Sequence, residues 1–233
     1  MKRFAFFMLF WIAFSGYTQN KVPTDSLYRP DPYYLEDQLY FGISYIALRN
    51  LPAGIKQNGF SNSIRLGYVR DIPINEERNF GFALGLGYGH DSYFQNLRIS
   101  IDETDGKVKY KILADANFQS NSFSVNKLEF PFEIRWRGST PTKYKFWRLY
   151  TGITTSLVIS TSSNYATKNV DVVYRDIQII NPWQFGFTAA AGYNTWNFNF
   201  YYGLSNIIKD DIKVDGVKMN MKEMRFGVIY YFL

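Results

Sequence analysis

A chain of 233 residues with a formal charge of +6, 19 % aromatic residues and no cysteine excludes several classes at once. The aromatic load is too high for a disordered chain and too β-prone for a helical bundle. The lack of cysteine rules out a disulfide framework, a thiolate metal site and a lipidated cysteine anchor.

The chain opens MKRFAFFMLFWIAFSGYTQN. Lys2 and Arg3 precede an apolar run from Phe4 to Phe14, and small and polar residues follow. These are the three zones of a secretory signal peptide. The apolar run is too short to cross a bilayer as a helix, which needs about 20 residues. Cleavage is expected between Ser15 and Gln19. Residues 1–19 therefore read as signal peptide, 20–37 as a periplasmic segment and 38–233 as the mature domain.

From there the sequence alternates with period two, the signature of strands. In 39–48, Leu39, Phe41, Ile43 and Tyr45 oppose Tyr40, Gly42 and Ser44, with Ile46 and Leu48 blurring the far end. In 60–71, Phe60, Ile64, Leu66 and Tyr68 oppose Ser61, Ser63, Arg65, Gly67 and Asp71. In 79–93, Phe80, Phe82, Leu84, Leu86 and Tyr88 face away from Gly81, Ala83, Gly85, Gly87 and Gly89. The same pattern marks 128–137, 146–159, 183–194, 196–206 and 222–233. Eight strands result.

A strand of about eleven residues, tilted near 45°, spans about 25 Å, the height of a membrane barrel's apolar band. Aromatic rings at the strand ends, among them Tyr45, Tyr88, Trp136, Trp147 and Trp196, suit the two membrane–water interfaces. A glycine-rich face solvates a surface poorly but packs inside a narrow barrel, so the apolar face is expected to meet lipid. Connections at 49–59, 92–122, 160–182 and 207–221 are long, whereas 72–79, 138–145 and Asn194–Trp196 are short. Long outer loops and short periplasmic turns are what bacterial outer-membrane barrels show. The segment 96–113 reads as a hairpin too short to cross. The expected fold is all-β: an eight-stranded antiparallel transmembrane barrel in the outer membrane.

The stretch LEFPFEIRWR, 128–137, puts Glu129, Glu133, Arg135 and Arg137 on the face opposite its apolar groups. In so narrow a barrel they point into an interior that side chains fill. Arg65, Arg148, Glu223 and Arg225 share that inward parity. Paired, they form a buried ionic network; unpaired, each carries a heavy desolvation cost. Pro131 removes a ladder hydrogen bond, so a bulge or a strained register is expected there.

Chemistry-bearing motifs are sparse. His90, the one histidine, precedes Asp91 and Ser92 at the outer end of the third strand. A few outer-membrane lipid hydrolases carry His and Ser facing lipid, but adjacent residues alternate faces and cannot form a triad with each other. The triplet reads as a polar loop entry. No phosphate-binding loop, dinucleotide fingerprint or metal spacing is present. Lys and Arg are scattered, so nucleic acid is not an expected partner. No cofactor and no enzymatic activity are expected; outer-membrane lipid is the expected surrounding.

The block LEFPFEIRWRGSTPTKYKFWRLYTG, 128–152, resembles the PorT family, called SprT in gliding bacteria: small outer-membrane proteins tied to the type IX secretion system. Signal peptide, length, strand spacing and aromatic carboxyl end are similar too. The resemblance implies a barrel accessory for export of tagged proteases and adhesins, and for gliding where it occurs, with other envelope proteins of the system as partners. It implies no catalytic site. It places Glu129, Glu133, Arg135, Arg137, Trp147 and Arg148 in the distinctive block, with Lys143 and Lys145 in a periplasmic turn able to touch a partner. The alternative is an adhesion barrel whose long outer loops meet external ligands.

Overall fold

A computed structural model describes residues 37–102, 104, 106–114, 118–138, 146–214 and 216–232. The signal peptide, nearly all of the 20–37 segment and the turn with Lys143 and Lys145 lie outside the described residues. In chain order the strands are β1 (Gln38–Arg49), β2 (Asn62–Pro73), β3 (Phe80–Phe94), β4 (Leu97–Ile101), β5 (Val108–Ile112), β6 (Ser120–Arg137) and β7 (Trp147–Ala166). They continue as β8 (Asp171–Arg175), β9 (Trp183–Tyr193), β10 (Trp196–Gly203), β11 (Lys213–Val214), β12 (Val217–Lys218) and β13 (Lys222–Phe232).

Eight of them close into an antiparallel barrel in the order β6-β3-β2-β1-β13-β10-β9-β7, with β7 pairing back to β6. Closure leaves no backbone edge unpaired, which hydrocarbon demands. The bulky alternating residues point outward and are exposed, for example Leu39, Leu66, Leu84, Phe132, Leu149 and Phe198. Aromatics ring both ends of this band: Trp147 stacks edge-on with Tyr193, and Trp196 with Tyr230, at the short-turn end, while Tyr45 meets Phe60 at the other. The short-turn end is periplasmic by the usual asymmetry of such barrels.

Three strands are longer than their apolar alternation suggests: β3 has 15 residues, β6 18 and β7 20. The outer halves of β3 and β6 keep the parity, whereas β7 changes parity at Ile159, and on β6 the two faces exchange their chemistry. On β6 the outward residues run Trp136, Ile134, Phe132, Phe130 and Leu128, then Asn126, Ser124 and Ser122. The inward ones run Arg137, Arg135, Glu133, Pro131, Glu129 and Lys127, then Val125 and Phe123. Above the membrane the outside meets water, so the apolar groups turn inward.

There they join a second core. Ile46, Tyr93, Leu97, Ile99, Phe123, Val125, Ile177, Ile207, Ile208, Met219 and Met221 are buried together, so the outer connections form a packed cap. The hairpin β4–β5 belongs to this cap: Leu97 and Ile99 are buried in it, and Asn96 ties it to the Gly54 and Leu113 carbonyls.

Pro131 corrects the expectation of a bulge at its own position. The β3–β6 ladder is interrupted opposite Gly85 and Leu86 but resumes in the same register, Leu84 with Phe132 and Gly87 with Glu129. The proline ring lies against Gly85, where a Cβ would stand 2.9 Å from Pro131 Cγ. The register shift of β6 occurs at Asn126/Lys127 instead, on the β7 side, where Ile159 is the extra residue.

Candidate functional site

The lumen is the densest polar region of the molecule. Arg65, Lys127, Arg135, Arg137, Arg148 and Arg225 are buried in it with Asp71, Asp91, Glu129, Glu133 and Glu223. Each sits at an inward position of its strand, so the pleat alone aims it at the axis. An uncompensated charge in so dry a site would be prohibitive. Pairing with the carboxylates offsets much of the cost.

The upper tier centres on Arg225, which is 0 % exposed and reaches Asp91 Oδ2 and Glu129 Oε1, each at 3.4 Å, and Glu223 Oε1 at 3.7 Å. Its guanidinium lies 3.6 Å from the Tyr201 ring centroid, adding a cation–π contact. Lys127 Nζ lies 2.6 Å from Asp91 Oδ2 and 3.2 Å from Glu223 Oε1. Tyr93 donates its hydroxyl to Glu223 Oε2 at 2.5 Å. Arg65 lies 3.8 Å from Glu129 Oε2. Five strands thus share one tier: β2, β3, β6, β10 and β13.

A lower tier lies toward the periplasm. Arg135 Nη2 pairs with Glu133 Oε2 at 2.8 Å, donates Nη1–H to Gln38 Oε1 at 3.0 Å and lies over the Tyr150 ring. Arg137 pairs with Asp71 at 2.6 Å and donates to the Arg78 carbonyl, tying β6 to β2 and the β2–β3 turn. Arg148 stands beside the Tyr150 hydroxyl and the Phe146 ring. Between the tiers lies a void of about 20 Å³, lined by Tyr40, Arg65, Glu129, Pro131, Glu133 and Tyr231, large enough for about one water molecule.

The structure brings the eight sequence-named lumen charges into two tiers rather than one network. It adds Asp71, Asp91 and Lys127, which the sequence reading left out of the set. Asp71 and Asp91 share the inward parity of Arg65 and Gly89. Lys127 lies one residue before the strand as read from its apolar run, so only a longer β6 would have revealed it. Trp147 points outward at the periplasmic rim and is 64 % exposed.

The triplet at 90–92 divides as the pleat requires. Asp91 is fully buried in the lumen, whereas His90 and Ser92 share the outward face. Among the described residues no cluster of His, Asp and Glu is arranged to hold a metal ion.

Several solved structures are similar in outline. The attachment invasion locus protein Ail of Yersinia pestis is 11 % identical, with 84 % of this chain and 97 % of that chain covered and a TM-score of 0.32. Its complex with the heparin analogue sucrose octasulfate gives 12 %, 85 % and 99 %, with a TM-score of 0.34. A mutant porin of Rh. blastica is 11 % identical, covers 85 % of this chain and 100 % of its own, and has a TM-score of 0.20. Among curated proteins none matches the chain. A family model, the outer membrane protein beta-barrel domain, matches residues 19–209. Closed barrel, lipid-facing band and family match agree: this is a protein of the bacterial outer membrane, and the chain belongs to the outer membrane protein beta-barrel domain family.

Proposed function

We propose that the protein is a non-conducting outer-membrane scaffold that serves type IX protein secretion as a structural or assembly accessory. The observation that carries the scaffold reading is the filled lumen. Two tiers of paired charges, with a void of about 20 Å³ between them, fill the lumen, which supports a use in the barrel's surfaces rather than in conduction. The secretion assignment rests on the resemblance of 128–152 to the PorT family. In that block Glu129, Glu133, Arg135, Arg137 and Arg148 brace the lumen, and the turn carrying Lys143 and Lys145 is the proposed contact for periplasmic partners. A cleaved signal peptide over 1–19 and a periplasmic segment over 20–37 complete the reading.

Deleting the gene and comparing culture medium with periplasm by mass spectrometry tests it. Proteins bearing the carboxyl-terminal secretion signal are expected to accumulate in the periplasm. Complementation with a chain whose 139–145 turn is replaced should fail while the barrel still reaches the membrane. An unchanged secreted set removes the secretion reading.

A second reading, ligand binding at the cell surface, is favoured by the cap, whose packed core makes it a stable platform. Replacing the β4–β5 turn at 102–107 leaves Leu97 and Ile99 in place. It would abolish such binding and leave secretion unchanged.

A further inference from the structure

His90 and Ser92 stand on the outward face of β3, and Asn126 joins them from the neighbouring β6, where it is the direct cross-strand partner of His90. Ser92 Oγ lies 3.1 Å from His90 Nε2, and His90 Nδ1 lies 2.7 Å from Asn126 Oδ1. Two further bonds hold the Asn126 amide in place. Its Oδ1 accepts the Tyr88 hydroxyl at 2.6 Å, and its Nδ2 donates to Ser160 Oγ at 2.7 Å. With Oδ1 turned to the imidazole, an oxygen that only accepts, Nδ1 carries the proton and the Nε2 lone pair faces the Ser92 hydroxyl. That is the tautomer a general base needs. Nucleophile, base and orienting group within hydrogen-bond reach are the geometric signature of an activated serine.

Position supplies an independent argument. Outward residues change from apolar to polar between Tyr88 and His90 on β3 and between Leu128 and Asn126 on β6. Acyl ester bonds of membrane lipids lie at that same boundary between hydrocarbon and headgroup. A cleft of about 610 Å³ opens on this side of the barrel, lined by Phe60, Asn62, Phe94 and Phe118. Asn62 is the cross-strand partner of Ser92, and Phe94 is the next outward residue after it.

We propose that Ser92, His90 and Asn126 form a lipid-facing acyl-ester hydrolase site, with Ser92 as nucleophile, His90 as general base and acid, and Asn126 as positioning residue. The substrate class is a fatty-acyl ester of an outer-leaflet lipid. Ser92 Oγ bonds to the ester carbonyl carbon while its proton passes to His90 Nε2. The carbon–oxygen bond to the alcohol then breaks, and the alcohol leaves with that proton. Water, the second reactant, adds to the acyl-serine carbonyl and gives a proton to His90. The fatty acid departs, and Ser92 Oγ recovers its proton. Ser124, whose hydroxyl lies 3.2 Å from Ser92 Oγ, is placed to donate to the oxyanion.

The test uses the full chain, purified and reconstituted into vesicles of phosphatidylethanolamine alone or with added lipid A. Fatty-acid release is followed by mass spectrometry, with a fluorophosphonate probe as an independent label for an activated serine. The wild type is expected to release fatty acid from at least one vesicle type, and the arm that responds identifies the lipid. Ser92 is expected to be the labelled residue. Ser92→Ala and His90→Ala should each lower turnover by about 10³-fold or more while keeping the heat-modifiable mobility of a folded barrel. Asn126→Ala should lower kcat by about 10²-fold with KM unchanged, a split that a merely structural bond would not give. No release from either vesicle type together with no label on Ser92 would overturn the proposal, and so would release that survives Ser92→Ala.

Discussion

Arg225 is the residue on which the lumen most depends. Three carboxylates, Asp91, Glu129 and Glu223, lie within 3.4–3.7 Å of one of its nitrogens, and Lys127 shares two of them. Removing one partner of a buried ion group leaves an uncompensated charge, which costs about 3–5 kcal/mol. Arg225→Met is therefore expected to lower the barrel's unfolding temperature in detergent, measured as loss of heat-modifiable mobility. A double change of Arg225→Met with Glu223→Gln should recover part of that loss, because one stranded carboxylate is then neutral. Outside the lumen, Asp102 stands partly exposed in the β4–β5 turn. Hydrogen bonds from the Lys109 ammonium and the Thr104 amide hold its carboxyl down at about 2. Because the folded state binds the proton more weakly than a free carboxylate, the turn is favoured above the ordinary carboxylate value and loses that support as pH falls toward 2. Exchange of the Thr104 amide in D₂O should stay slow from neutral pH down to about 4 relative to an Asp102→Asn variant. The difference should vanish near pH 2. A difference that persisted there would remove the carboxylate as the cause.

At the scale of strands, the glycines of the inward faces make room for rings rather than for turns. The Tyr40 hydroxyl occupies the space where a Cβ on Gly87 would fall, and the Tyr40 ring does the same at Gly67. Gly87→Ala is expected to reduce the folded fraction after detergent refolding. Adding Tyr40→Phe should restore much of it, since the hydroxyl is the group that collides. Without that rescue, the loss would have to come from the β2–β3–β6 ladder itself. The same pleat explains how much of the molecule was legible in the sequence. Strand number, inward charges and outward apolar band follow from period-two alternation, which a lipid-facing barrel imposes on every strand. The outer halves of β6 and β7 were not legible, because Ser122, Ser124 and Asn126 or Ser160 and Ser162 give no apolar signal. On β6 the hydrophobicity lies on the inward face, in Val125 and Phe123, and reads as a loop when only outward apolar groups are sought, while β7 there turns Thr161 and Ser163 inward. The same blind spot hid the pairing of His90 with Asn126: the two stand 36 residues apart in sequence, and only the β3–β6 register joins them.

For the whole molecule, the two cores have opposite polarity and act in series. Inside the membrane the axis is filled by ionic tiers; above it, the mouth is closed by the apolar cap of Ile46, Ile99, Phe123, Val125 and Ile208. An ion entering from outside would have to displace the cap before meeting Arg225, and then pass a void only large enough for about one water. An eight-stranded wall leaves no spare width for a detour. The protein is therefore expected to be electrically silent in planar bilayers bathed in concentrated KCl, where a porin in the same apparatus gives stepwise currents. Truncating the mid-lumen groups Tyr40, Arg65 and Tyr231 to Ala should leave it silent, because the cap still closes the outer mouth. Stepwise currents from the unaltered chain would show that the tiers open, and the plugged-scaffold reading would fail. Steps from the truncated chain alone would place the seal in the lumen and leave the cap as a surface-facing platform.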